Sequence, residues 1–144
     1  MAITQSVCNS FKSEVLKALH NFSSSSGDTF KIALYTSDAS LGPSTTVYTT
    51  TGEVSSSGTN YTAGGKTLTN VEPTESDGVG FADFSDVSWS SASFTARGAL
   101  IYNSTNSNKA VAVLDFGIDR VASSSTFTVQ FPAADSDNAI VRVK

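Results

Sequence analysis

The stretch ARGALIYNSTNSNKAVAVLDFG, residues 96–117, decides the fold class of this chain. Two apolar segments, rich in β-branched and aromatic side chains, are joined by the polar run STNSN at 104–108. Two segments of this kind on either side of a short turn predict a β-hairpin. We therefore expect a hairpin in the core, with strands over 93–103 and 109–117.

The sequence before and after this hairpin also alternates with a period of two. In TFKIALYTS, residues 29–37, one face would carry Phe30, Ile32 and Leu34, as in a strand that is covered on one side. Eight short strands separated by Gly, Pro, Ser, Asn and Asp predict an antiparallel β-sandwich or jelly-roll-like domain. They are expected at 29–37, 45–50, 66–72, 80–89, 93–103, 109–117, 125–131 and 139–143.

One amphipathic helix is predicted at residues 4–22. Its apolar residues follow the three-and-four spacing of a single stripe, which we expect to pack on the sheet. The length of 144 residues fits one domain over 1–144, with the helix at 4–22 and the sandwich at 29–143. The stripe comprises Val7, Cys8, Phe11, Val15, Leu16, Ala18, Leu19 and Phe22.

Composition and charge argue against several classes of function. A net charge of −4 with scattered basic residues disfavours nucleic-acid binding, which needs clustered Lys and Arg. The single Cys8 excludes an internal disulfide, and no Cys/His set is present for zinc. No apolar run is long enough to span a bilayer, and no signal-peptide pattern precedes the helix, so we expect synthesis in a cytoplasm and no membrane partner.

Two short motifs resemble nucleotide-binding elements without their context. AGGKT at 63–67 lacks the first glycine, the preceding strand and the following helix of a phosphate-binding loop, so it predicts a Gly-rich strand connection. Asp115-Phe116-Gly117 matches a kinase triplet but has no catalytic loop beside it. We expect Asp115 to face solvent or cap a turn and Phe116 to enter the core.

The candidate catalytic and metal-binding groups are few. His20, the only histidine, is expected to be solvated near the helix end, and Cys8 is expected to pack in the core. The acidic run AADSDN at 133–138 predicts an Asx-rich turn more strongly than a cation site at Asp135 and Asp137. No cofactor, metal or catalytic residue is assigned. The other carboxylate pairs considered are Asp83 with Asp86 and Asp115 with Asp119.

Aromatic side chains offer an alternative binding chemistry, because a sugar-binding sandwich stacks sugar rings on aligned exposed rings. Trp89 and Tyr102 fall in strands, where they more often complete a core edge. Tyr61 falls in the long connection GEVSSSGTNYTAGG at 52–65 and is expected to be the most exposed. A connection of this length is either functional or mobile. Tyr35 and Tyr48 are the remaining candidates.

Nearly the whole chain resembles a family of small virion structural proteins of tailed bacteriophages, notably phages of aquatic bacteria. The resemblance lies in MAITQSVCNSFKSEVLKALHNF, GDTFKIALYTSDASLG, YTAGGKTL, SFTARGALIYNSTNSNKAVAVLDFG and FTVQFPAADSDNAIVRV. It implies a non-enzymatic capsid decoration or cement protein, made in the bacterial host cytoplasm and located on the virion capsid surface. The implied partners are the major capsid protein and other copies of the chain, as a dimer or trimer.

The hairpin then suggests a contact surface. GALIY, residues 98–102, is the most apolar segment, and edge strands are ready sites for pairing, so Leu100, Tyr102 and Tyr61 become the candidate interaction residues. The alternative is a central hairpin with no partner contact. Two other functions stay open at this point: a tail or fibre component or sugar-binding sandwich, and an enzyme whose pocket contains His20 or two close carboxylates.

Overall fold

The computed structural model describes residues 2–144 as a mainly β protein with two antiparallel sheets and one short helix. This confirms the predicted fold class, an eight-stranded sandwich with an N-terminal helix. The elements in chain order are β1 Ser6–Val7, α1 Asn9–Leu16, β2 Phe30–Tyr35, β3 Lys66–Thr67, β4 Asn70–Ser76, β5 Val79–Phe84, β6 Val87–Asn103, β7 Lys109–Val129 and β8 Val141–Val143.

The predicted hairpin forms the centre of the larger sheet. That sheet has the order β1-β7-β6-β2-β3, and the smaller sheet has the order β4-β5-β8. In the β6–β7 pair, Leu100 lies opposite Val113 and Asn103 lies opposite Lys109. The two sheets meet through aromatic contacts, since the Phe30 ring centroid of β2 lies 5.6 Å from that of Phe84 in β5.

The two hairpin strands are longer than the sequence predicts. β7 joins the predicted strands 109–117 and 125–131, and β6 joins 93–103 to the end of 80–89, whose beginning is β5. The register between β6 and β7 shifts near Gly117 and Ser124, where φ is 82° and 45°. Gly117 and Ser124, which the sequence suggests as turn residues, therefore lie in β-bulges. A β-bulge accommodates extra residues without ending the strand.

Three other predicted strands differ from the structure. Residues 45–50 make one isolated bridge, Val47 with Lys109 at the start of β7, and the segment then passes over the sheet face, where Tyr48 stacks on Tyr102. The predicted strand 66–72 divides into β3 and β4, which belong to different sheets. The last strand begins at Val141, two residues later than the predicted 139–143.

Helix α1 is much shorter than the predicted 4–22. Ser6 and Val7 pair with Val113 and Ala112 of β7, and this ladder removes the first predicted turn from the helix. The helix ends at Leu16, and Ala18 adopts a left-handed φ of 60°. Apolar residues near the chain start suit either a helix stripe or a strand, and here sheet pairing prevails.

Strand β2 is covered on both faces instead of one. Phe30 stacks on Phe22 at a centroid distance of 4.4 Å, on the side that faces the smaller sheet. On the opposite face the Tyr35 hydroxyl donates to the carbonyl of Thr49 at 2.6 Å, so the 45–50 segment covers that side. Both Phe30 and Tyr35 have no exposed surface.

Candidate functional site

The three residues suggested as partner contacts lie inside the protein. Leu100, Tyr102 and Tyr61 are 0, 3 and 2% exposed. Leu100 and Tyr102 belong to β6, which has β7 on one side and β2 on the other, so GALIY is a central strand segment and has no outward edge. Tyr61, expected to be the most exposed tyrosine, is also enclosed. The folded surface therefore does not offer these side chains to a partner.

The four tyrosines of the chain gather around Glu53. The hydroxyls of Tyr61 and Tyr48 each donate to its carboxylate at 2.7 Å, and the backbone N–H of Gly64 donates to it at the same distance. The Tyr102 hydroxyl donates to the Gly64 carbonyl at 2.7 Å. These bonds hold Glu53, Tyr61 and Gly64 of the 52–65 connection against the sheet, while residues 55–58 between them are exposed.

Burial keeps these phenols neutral. It raises the pKa of Tyr102 to about 12, and the negative charge of Glu53 adds to the effect. The pKa values of Tyr35, Tyr48 and Tyr61 are also raised, first by burial and then by their closeness to Glu53. A phenol must be protonated to donate a hydrogen bond to the carboxylate. The raised pKa values keep these tyrosines protonated at neutral pH.

The AGGKT segment is a strand connection, as its sequence context predicts. Gly65 adopts a φ of 80°, and a Cβ placed there would lie 1.7 Å from the carbonyl oxygen of Ile32. The backbone therefore passes against β2 with no room for a side chain. Lys66 donates to the carbonyl of Ser88 and lies 5.7 Å from the Trp89 ring centroid, so its charge is directed towards the sheet.

His20 is buried, not solvated as the helical wheel suggests. Its side chain has no accessible surface, and its Nε2 lies 3.0 Å from Oε1 of Glu14. Its Nδ1 lies 3.1 Å from the side-chain amide nitrogen of Asn103. The wheel does not apply, because α1 ends four residues before His20 and the chain then turns back onto the sheet.

The hydrogen bonds of Asn103 define the state of this histidine. The Asn103 Oδ1 accepts from the backbone N–H groups of Thr105 and Asn106, so its amide nitrogen is the donor that faces His20 and Asp28. His20 Nδ1 is thus an acceptor and Nε2–H donates to Glu14, which is the neutral tautomer. Among the described residues no hydroxyl or thiol hydrogen-bonds to His20, so no nucleophile–base pair forms around it.

An apolar groove of about 590 Å³ separates α1 from the smaller sheet. We call it the helix–sheet groove. Leu16 at the end of α1 is 88% exposed, although the sequence placed it on the buried helix stripe. Val143 at the end of β8 is 61% exposed. The side chains that line the groove include Val15, Ala18, Phe81, Ala82, Val141 and Val143.

The carboxylates do not assemble into a metal site. No group of three His, Cys, Asp or Glu side chains within residues 2–144 could hold a metal ion. Asp135 accepts from the N–H groups of Asp137 and Asn138, the Asx turn that the sequence predicts, and these bonds lower the pKa of Asp135. Burial raises the pKa of Asp83, whose Oδ2 has no hydrogen-bond partner.

The Asp115 triplet also behaves as predicted. Asp115 Oδ1 accepts from the Gly117 N–H at 2.9 Å and lies 3.3 Å from the Nε atom of Arg97, so this carboxylate caps a turn in β7. Phe116 is partly buried against the core. Cys8 is fully buried, as expected, and burial together with the charge of Glu14 raises its pKa to about 11.

The outer part of the β6–β7 pair is the second notable surface. Its inner side packs the rings of Trp89 and Phe127 at a centroid distance of 6.1 Å. Its outer side carries hydroxyl groups, among them Ser88 and Thr128, which share a hydrogen bond of 2.8 Å. Within the described chain β1 pairs only with residues 112 and 113 of β7, which leaves 115–129 with one unpaired side that we call the free edge of β7.

Two apolar side chains are exposed on this free edge. Ile118 is 59% and Val121 is 72% exposed. The sequence does not predict these exposed side chains, because the composition of residues 118–124 indicates a loop. The remaining residues from 118 to 129 carry one acidic and one basic side chain, Asp119 and Arg120, and are otherwise mostly small or hydroxyl-bearing. The free edge of β7 is therefore an almost neutral surface with the backbone of a strand.

Comparisons with protein-family models, with curated proteins and with solved structures find no match to this chain. The helix of the described chain is too short to cross a membrane.

Proposed function

We propose that this chain is a virion structural protein of a tailed bacteriophage, of the capsid decoration or cement type, which binds the lattice of the major capsid protein. The sequence resemblance over nearly the whole chain supports this role. The observation that carries it in the structure is the free edge of β7, where Ile118 and Val121 are exposed on a strand that has β6 on one side and no neighbour on the other.

The chemistry of the free edge suits static packing on a protein shell. An unpaired strand edge offers main-chain donors and acceptors to a neighbouring chain, and exposed aliphatic side chains add apolar contact. A nearly neutral, hydroxyl-rich surface avoids repulsion between many copies held close together. Only 15% of the residues are charged, which favours such dense assembly.

A sugar-binding role has less support, because the aromatic rings that it requires are enclosed. Trp89, Tyr35, Tyr61 and Tyr102 are each at most 3% exposed, and Tyr48 is stacked on Tyr102 with its hydroxyl on Glu53. A tail or fibre position would use the same free edge on a different partner. Binding assays with purified shells and with purified tails distinguish these two positions.

The test is co-sedimentation of the tagged chain with purified empty shells and, separately, with purified tails. We expect saturable binding to shells, weakened about tenfold by Ile118→Lys or Val121→Lys, since each introduces a charge at a packed apolar contact. Val47→Lys is the matched control, because Val47 is 47% exposed on another part of the surface. Binding to tails alone, or equal binding by all three variants, would contradict the proposal.

A further inference from the structure

Asp83 in β5 is a carboxylic acid that the protein encloses without satisfying it. Only 2% of its surface is exposed, and its Oδ1 accepts from the N–H of the adjacent Phe84 at 2.8 Å. Its Oδ2 has no hydrogen-bond partner among residues 2–144. A negative charge on this group is costly, because neither water nor a full set of hydrogen bonds replaces its lost hydration.

The segment that connects β7 to β8 lies beside this carboxyl group. We call residues 131–140 the strap. Its start is fixed by the Phe131 N–H, which donates to Oδ1 of Asp86 at 2.7 Å. At its other end Ile140 comes next to Asp83, because the β5–β8 register pairs the residues that follow in β8 with those that precede in β5. The strap therefore closes over the enclosed carboxyl group.

The acidic groups nearest to Asp83 have the same sign of charge. Asp86 lies between β5 and β6, Asp135 lies on the strap, and each disfavours a negative charge on Asp83. Asp137, also on the strap, is exposed, and its carboxylate makes no hydrogen bond within residues 2–144. The strap contains no Lys or Arg that could compensate these charges.

The basic groups nearby are occupied elsewhere. Arg142 is the only basic residue in the three strands of the smaller sheet, and its guanidinium donates to the carbonyl of Asp137 at 2.6 Å. In β4, the uncharged Val71 lies opposite Asp83, and the carboxylate of Glu72 is bound by the serine-rich turn that precedes β2. Within residues 2–144 no ion pair includes Asp83.

The balance of these contacts favours the protonated form of Asp83. Burial is the main cause that raises its pKa, and the charges of Asp135 and Asp86 add to the effect. The N–H groups of Phe84 and Ile140 favour the charged form but do not cancel the rise. The folded chain therefore holds this proton more tightly than the unfolded chain does.

We propose that Asp83 and the strap form a proton-controlled latch, in which the strap is closed over the protonated carboxyl group and loosens when that proton is lost. An ionised Asp83 needs water, and the strap can admit it at the lowest cost because residues 131–140 contain no helix or strand. The strands β4 and β5 are held by their ladder of hydrogen bonds. Loosening extends to β8, which pairs with β5 through three residues only.

The direction of the pH dependence follows from the raised pKa. The stabilising effect of the neutral Asp83 is complete below its ordinary value of 3.8 and is lost as the pH rises through the higher value of the folded chain. Acid should therefore close the latch and a higher pH should open it. Most buried carboxylates, which are paired, have the opposite effect.

The test is amide hydrogen exchange of the full chain from about pH 4 to about pH 8, corrected for the intrinsic effect of pH on exchange. We expect the protection of residues 131–143 to fall with rising pH, by at most about tenfold per pH unit, the limit for one proton. The central hairpin around Leu100 and Val113 is the internal reference and should keep its protection. In Asp83→Asn the strap should stay protected throughout, because the amide cannot ionise.

Asp137→Asn is the matched control, since it removes an exposed carboxylate from the same strap and should leave the pH dependence as in the wild type. The carboxyl carbon shift of Asp83 in the wild-type chain, followed by NMR, should change over the same pH range as the strap. The latch is refuted by the same pH dependence in Asp83→Asn and the wild type, by protection that does not fall with pH, or by an equal fall in the central hairpin.

Discussion

Tyr61 donates a hydrogen bond of 2.7 Å from its phenol oxygen to Oε1 of Glu53. The same phenol oxygen accepts the backbone N–H of Leu34 in β2 at 2.9 Å. One side chain thus joins both parts of the 52–65 connection to the central sheet. Two further donors, Tyr48 and Gly64, use the remaining capacity of the carboxylate.

Replacing Glu53 by Ala should lower the free energy of unfolding by about 2 to 4 kcal/mol, because it leaves buried phenol and amide donors without an acceptor. Glu53→Gln should cost less, since the amide oxygen still accepts one or two of these bonds. Urea denaturation followed by circular dichroism measures both changes. Asp38→Asn, at an exposed carboxylate, is the control, and a loss as small as that of the control would refute the role of Glu53.

Alkaline pH should destabilise the protein through its tyrosines. Tyr102 has a pKa raised to about 12 in the folded state, against 10.0 for the free side chain. The stabilising effect of the neutral phenol is therefore complete below pH 10 and is lost as the pH rises from 10 to 12. Thermal melting at each pH unit, together with the phenolate absorbance, measures this loss.

An unchanged melting temperature between pH 10 and pH 12 would contradict the buried tyrosine cluster. The variant Tyr102→Phe should show a smaller decline over the same range, because it removes one of the titrating groups. Its stability near neutral pH should fall modestly, since it also removes the hydrogen bond to the Gly64 carbonyl.

Phe30 and Phe131 should differ in their contribution to stability. Phe30 is fully buried between Phe22 and Phe84, so Phe30→Ala should cost about 3 to 5 kcal/mol. Phe131 follows the end of β7, is only partly buried and packs against Phe84, so its removal should cost about 1 to 2 kcal/mol. Chemical denaturation compares the two directly. Equal losses would mean that the inner face is misassigned.

Asn103 should not tolerate replacement by aspartate. The change puts a carboxylate oxygen where the two N–H groups of the amide now face three acceptors, on His20, Asp28 and the Leu19 carbonyl. We expect a loss of about 3 kcal/mol or more, because buried acceptors would then face one another. Asn9→Asp adds the same charge at an exposed helix start and should change stability by less than about 0.5 kcal/mol. Similar losses of stability in Asn103→Asp and Asn9→Asp would show that Asn103 is not part of a buried hydrogen-bond network.

The β elements were predictable where their signals are local. The hairpin of 96–117 shows its strands and its turn in consecutive residues, and the structure pairs Leu100 with Val113 as that pattern requires. The merging of strands through Gly117 and Ser124 was not predictable, because the same residues form turns or bulges depending on the partner strand. The sandwich class could be read from the sequence, whereas the lengths of β6 and β7 could not.

The surfaces were harder to predict than the fold. Leu16 fits a buried stripe on a long helix, but α1 stops at that residue and leaves its side chain outside. Tyr61 lies in a segment rich in Gly and Ser that suggests exposure, and its burial depends on Glu53, whose role only the folded chain reveals. Contacts between distant residues determine both outcomes, and a single sequence does not show such contacts.

The most direct measurement of the proposed role is a reconstruction of the intact phage particle by electron cryomicroscopy. We predict density of this β-sandwich repeated at symmetry-related positions on the outer shell, with residues 115–129 of β7 against the major capsid protein. A shell that lacks such density, in particles that contain the chain only in the tail or not at all, would contradict the account.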